Sequence, residues 1–230
     1  MLMTDPKIIV AIDTFDFEKA NAILEQLNPD HCLIKIGSVV FNALGKSFLK
    51  HASSQGFKIF LDLKLHDIPN TVYETITGFN DCKIDMLTVH LSGGEKMLRK
   101  AMLAGKSINT KVIGVSMLTS LEEEDSLALF DNKLEDQISN LFKIAIKANI
   151  DGIVCSPHEL KIANTILGPH SIKITPGIRD TKAEDDQART MSAKEAIERG
   201  STFLVIGRPI TQAEDISRAL ENFNNSIYEK

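Results

Sequence analysis

Several absences narrow the class of this 230-residue chain before any motif is considered. It has only three cysteines, Cys32, Cys82 and Cys155, far apart and in no C-x-x-C arrangement. That argues against a disulfide framework or a zinc site; it fits a reducing cytoplasm, with the thiols as small core residues. No apolar run approaches the roughly 18 residues that span a bilayer. The opening MLMTDPKIIV has no basic segment leading into a long apolar one, so no secretory signal is expected. There is no basic tract, and the formal net charge is −5. Neither nucleic acid nor a membrane is therefore an expected partner. Linkers and low-complexity stretches are missing too, so residues 1–230 are expected to form one domain.

What is present alternates. Short β-rich runs fall at 7–13, 31–37, 58–64, 85–90, 111–118, 151–156, 171–175 and 202–207, with helix-period segments between them. Segment 16–27 places Phe17, Ala20, Leu24 and Leu27 on one face; segment 134–148 does the same with Leu134, Ile138, Leu141, Ala145 and Ala148. Repeated strand–helix units imply parallel strands with right-handed crossovers. Eight such units predict an α/β fold, a (β/α)8 barrel. A doubly wound open sheet is the alternative, weakened because no G-x-G-x-x-G follows the first strand.

The third strand, KIFLDLK, carries charge where a core strand should not. Side chains alternate along a strand, so Ile59, Leu61, Leu63 and Leu65 share one face and Lys58, Phe60, Asp62 and Lys64 the other. The apolar face must meet the helices, which turns Asp62 and Lys64 inward near the strand's C-terminal end, where barrel active sites are built. The same parity points Asp13 inward at the end of the first strand and Lys35 inward on the second. One such residue is ordinarily half of a structural ion pair; four at one depth on neighbouring strands indicate a functional site. Asp67 falls in the loop that follows, whose exit Pro69 marks. Thr71 and Glu74, three apart, fit a capping box opening the next helix.

The eighth strand ends in Gly207-Arg208-Pro209, a glycine for close backbone approach and a guanidinium suited to phosphate, at the usual cradle of these barrels. After the seventh strand, residues 175–191 show no period and begin with a Pro-Gly turn, which predicts a mobile loop. From a closing lid, Arg179 and Gln187 can reach a ligand. The acidic trio Glu184, Asp185 and Asp186 reads as a solvated face. Thr119 and Ser120, after the fifth strand, suit either a polar ring or an ordinary turn.

The run DLKLHDIPNT (62–71), with AID (11–13), KIG (35–37), LTS (118–120), TPGIR (175–179), DDQAR (185–189) and VIGRPI (205–210), resembles the orotidine 5′-phosphate decarboxylase family. The motifs lie in order along nearly the whole chain. The resemblance implies conversion of orotidine 5′-monophosphate (OMP) to uridine 5′-monophosphate (UMP) and CO2 in pyrimidine synthesis, by a homodimer using neither cofactor nor metal. It maps the family's alternating charge array onto Lys35, Asp62, Lys64 and Asp67. It implies that Asp67 and Thr71 reach into the partner's site. It assigns Asp13 and Lys35 to the ribose, Thr119 to the pyrimidine, and Gln187, Gly207, Arg208 and Arg179 to the phosphate side and its mobile loop.

A metal-dependent branch on the same barrel, the 3-hexulose-6-phosphate synthase and 3-keto-L-gulonate-6-phosphate decarboxylase group, also carries D-x-K-x-x-D. There a glutamate in the second strand binds Mg2+; here the position is Lys35, a poor neighbour for a cation. A Schiff-base aldolase needs an uncharged lysine, which flanking aspartates oppose. A phosphate-ligand sensor without catalysis is the remaining alternative.

Overall fold

The computed structural model describes residues 6–179 and 191–228. Each run expected to be a strand is one: β1 Ile8–Ile12, β2 Leu33–Gly37, β3 Ile59–Leu65, β4 Met86–His90, β5 Lys111–Val115, β6 Gly152–Val154, β7 Ile172–Thr175 and β8 Phe203–Ile206. All are parallel and each pairs with the next; β1 pairs on both sides, Val10 standing opposite Ile34 in β2 and Ile206 in β8. The ring is therefore closed and no strand keeps a free edge, which decides between the barrel and the open sheet. Around it run α1 Phe17–Glu25, α2 Ser38–Ser54, α3 Pro69–Thr77, α4 Gly94–Ser107, α5 Glu123–Phe130, α6 Leu134–Ala148, α7 Leu160–Leu167, α8 Ala193–Glu198, α9 Arg208–Thr211 and α10 Ile216–Tyr228.

Two hydrophobic cores follow from the period of two. Ile8, Val10, Ile12, Ile34, Ile36, Ile59 and Leu61 belong to the layer between strands and helices. Ile9, Ala11, Leu33, Phe60, Met86, Ile113, Ile174 and Val205 fill the barrel itself. Strands buried on both faces read as near-continuous apolar runs, and β1 is buried at all five positions. Helices need only one apolar stripe: α6 buries Ile138, Leu141, Phe142, Ala145 and Ala148. At the start of α1, Asp16 caps the helix by accepting the Lys19 N–H at 3.2 Å. The three cysteines are unpaired and buried, as expected, and burial pushes the Cys32 thiol up to about 12. Among the described residues no helix is long and apolar enough to cross a membrane.

Two local expectations are corrected. The fifth strand ends at Val115 rather than at 118; just past it, Ser116 still reaches the Val154 carbonyl with its N–H at 3.4 Å and donates its hydroxyl to the buried Glu159 at 3.0 Å. The capping box at Thr71 does not form. Pro69 takes the first helical position, where its missing N–H costs nothing and its φ is preset, so α3 begins two residues before Thr71. Its N-cap is Ile68, with no side-chain cap, and Thr71 sits exposed in the first turn.

Candidate active site

At the C-terminal mouth, β3 departs from regular pairing. Phe60 and Leu61 stand opposite Met86 and Leu87, but the next partner of β4's Val89 is Leu65, so the register shifts between Leu61 and Leu65. Within this bulge Lys64 adopts φ +51°, a conformation that non-glycine residues rarely take. Its backbone N–H donates to the hydroxyl of Thr88 in β4 at 2.7 Å. The result re-aims the side chain without losing its inward direction.

Three of the expected charges meet. Lys64 Nζ donates to both oxygens of Asp62 at 2.9 Å, and Lys35 Nζ lies 3.5 Å from Asp62 Oδ2. Asp62 Oδ1 also accepts the Thr88 hydroxyl at 3.0 Å. Burial alone would raise the Asp62 carboxyl; the charges of Lys35 and Lys64 and the bonds from Lys64 and Thr88 outweigh it and hold it below its ordinary value. Gly37 makes room for this cluster, since a Cβ there would come 3.1 Å from Lys35 Nζ. Lys64 is the most open member, its side chain 36% exposed against 11% for Asp62, so a ligand in the mouth meets its ammonium. Two ammoniums share one carboxylate, and the cluster keeps a surplus positive charge.

The other expected residues stand around this trio without joining it. Asp13, directly after β1, is exposed and lies between the ends of β8 and β2. Asp67 is exposed and turns its carboxylate back to accept the Ile68 N–H at 2.7 Å. Within one chain it therefore stays outside the array, as does Thr71. Thr119 is exposed in the turn after β5. Gly207 precedes α9 and faces β1, a Cβ there lying 3.5 Å from that of Ala11. Arg208 is exposed beside it. Arg179 is half-buried and donates to the Ile178 carbonyl at 2.8 Å. The ends of the long loop are stapled, Arg179 N–H to Met191 O at 3.0 Å and Met191 N–H to Gly177 O at 3.3 Å. Residues 180–190, with Gln187, the acidic trio and the expected mobility, lie outside the described residues.

Sequence reasoning missed Thr88, His90 and His66. Thr88 and His90 share the inward parity of Met86 on β4, a polar pair at the functional end of a strand, and that signal was available. The His66 and His90 rings lie 5.4 Å apart, and burial, then the neighbouring His66 and Lys64, lower the His90 pKa.

A closed parallel barrel with a charged cluster at the C-terminal mouth defines a (β/α)8-barrel enzyme. Residues 6–223 match the model of the "Orotidine 5'-phosphate decarboxylase / HUMPS family". Orotidine 5′-phosphate decarboxylase of Legionella pneumophila (strain Corby) is 43% identical over 215 residues, 91% of this chain and 94% of that one. The enzyme of that name from Psychromonas ingrahamii is 39% identical over 230 residues, 98% of each. The crystal structure of orotidine 5′-phosphate decarboxylase from Lactobacillus acidophilus superposes with a TM-score of 0.86 at 34% identity, covering 98% of this chain and 100% of that one. The chain belongs to the orotidine 5′-phosphate decarboxylase / HUMPS family.

Proposed function

We propose that this enzyme decarboxylates OMP to UMP and CO2 in pyrimidine biosynthesis, with Lys64 as the catalytic residue. The observation that carries the reading is the trio itself: an ammonium held 2.9 Å from both oxygens of a buried aspartate, with a second ammonium 3.5 Å from that aspartate, at the barrel mouth. When the bond from C6 of the pyrimidine to the carboxylate breaks, its electron pair stays on C6. No carbonyl is placed to spread that charge, so the site must stabilise it where it forms. The Lys64 ammonium does so, then gives C6 a proton and regains one from solvent. Lys35 and Asp62 keep the ammonium from swinging away, and the surplus positive charge suits an anionic substrate. Repulsion between Asp62 and the substrate carboxylate is a secondary contribution.

Around this centre, Asp13 and Lys35 hold the ribose, Thr119 the pyrimidine, and Gly207, Arg208, Arg179 and Gln187 the phosphate. Phosphate binding far from C6 supplies energy for assembling the site. Asp67 and Thr71 complete the array of a second protomer in a homodimer. Their exposure, together with that of Ile68 between them (67% exposed), fits a surface that a second copy covers.

The test is the ultraviolet absorbance of OMP incubated with purified protein and EDTA, beside Lys64→Ala. The expected outcome is conversion to the UMP spectrum despite the chelator, slowed about 10,000-fold or more in the variant, which loses charge stabilisation and proton donor together. No spectral change with the intact protein overturns the proposal. Activity abolished by EDTA and restored by Mg2+ points instead to the metal-dependent branch.

A further inference from the structure

Lys64 is tied at its two ends to two side chains that are bonded to each other. Its backbone N–H donates to Thr88 Oγ1 (2.7 Å), that hydroxyl donates to Asp62 Oδ1 (3.0 Å), and the carboxylate accepts the Lys64 ammonium (2.9 Å). The ring closes across the bulge, where the β3–β4 ladder offers the Lys64 N–H no regular partner. Thr88 is fully buried, and its own backbone stays in register with β5, opposite Ile113. It is thus a fixed post beside a residue in an unfavoured conformation (φ +51°).

We infer that Thr88 is a positioning residue for the decarboxylation proposed above: its hydroxyl holds the bulge that sets where the Lys64 ammonium and the Asp62 carboxylate point. A hydroxyl is the group this needs, because it accepts from one neighbour and donates to the other at once. Valine has the same shape and does neither. Buried as it is, Thr88 presents nothing to solvent in the mouth. Its loss acts through Lys64 and Asp62 rather than through substrate contacts.

The experiment compares kcat and KM on OMP, across pH, for wild type, Thr88→Val and Thr88→Ser. Misplacing a catalytic group by about an ångström costs on the order of 100-fold, so Thr88→Val is expected to lower kcat by about that factor. KM should stay within about threefold, and Thr88→Ser, which keeps the hydroxyl, should recover kcat to within about threefold. In the valine variant Asp62 loses one bond to its ionised form while still facing the Lys35 and Lys64 ammoniums and the His90 ring. The acid limb of its kcat profile therefore moves to higher pH. Equal kcat in the valine and serine variants overturns the inference, as does a valine variant with an unmoved acid limb. Should Thr88→Val not accumulate as folded protein, Thr88→Ala, which only removes atoms, takes its place. If wild type does not turn over OMP, the function above fails, and the inference is then judged on a crystal structure of the variant. Lys64 leaving its positive φ supports it, and an unchanged Lys64–Asp62 contact overturns it.

Discussion

Asp62 sits where burial should make a carboxylate expensive, and two ammoniums and a hydroxyl reverse that cost. Its folded pKa lies below the unfolded value, so the stability it contributes is fully present above about pH 3.9 and drains away as pH falls through the lower folded value. Thermal melting followed from pH 6 downward should therefore show Asp62→Asn losing less stability than wild type below about pH 4. Parallel curves would mean the carboxylate's surroundings do not hold it ionised. Lys64 is the companion case. Its inward direction was legible from parity alone, but its positive φ was not, because nothing within 58–65 announces a bulge whose hydroxyl partner lies 24 residues away on β4. Thr71 shows the converse error. A fitting local pattern lost to Pro69, which starts the helix earlier.

At the scale of elements, close approach between neighbours decides what a position tolerates. Gly152 in β6 packs against β7; a Cβ there would lie 2.6 Å from Ile172 Cβ and 2.8 Å from its carbonyl oxygen, distances that backbone must yield to relieve. Gly152→Ala is expected to destabilise the fold by about 1–3 kcal/mol in urea unfolding, the usual range for overpacking. An unchanged midpoint would show that the β6–β7 spacing gives way freely. On β7, Lys173 is buried like Asp62, yet it turns away from the barrel-filling Ile174 and donates to the carbonyls of Gly168, Pro169 and Ser171 at 3.0–3.3 Å. A charged residue in a core strand is therefore not a site in itself. What separates the two is parity and strand end: Asp62 points into the barrel toward the C-terminal mouth, and Lys173 is spent on the turn that precedes its own strand.

For the molecule as a whole, Asp67 stays outside the Lys35–Asp62–Lys64 cluster within one chain, exposed and bonded to its own loop. If a second protomer supplies it, inactive variants can repair each other. Lys64→Ala and Asp67→Ala chains, co-expressed, form hybrid dimers in which one site has both mutations and the other has neither. Random pairing predicts about a quarter of wild-type activity from the mixture. Activity no greater than the mean of the two parents would show that each protomer builds its site alone.

The order of strands and helices and the parity of each strand were determined by the sequence, because hydrophobic period is a local property. So was the inward direction of Lys35, Asp62 and Lys64. That the eight parallel units close into a barrel rather than an open sheet was decided by β1 meeting β8. The Thr88 bond, the bulge at Lys64 and the place of Asp67 outside the cluster were decided by tertiary structure. Each depends on which atom of a distant strand or loop arrives within hydrogen-bond distance, and no spacing along the chain encodes that.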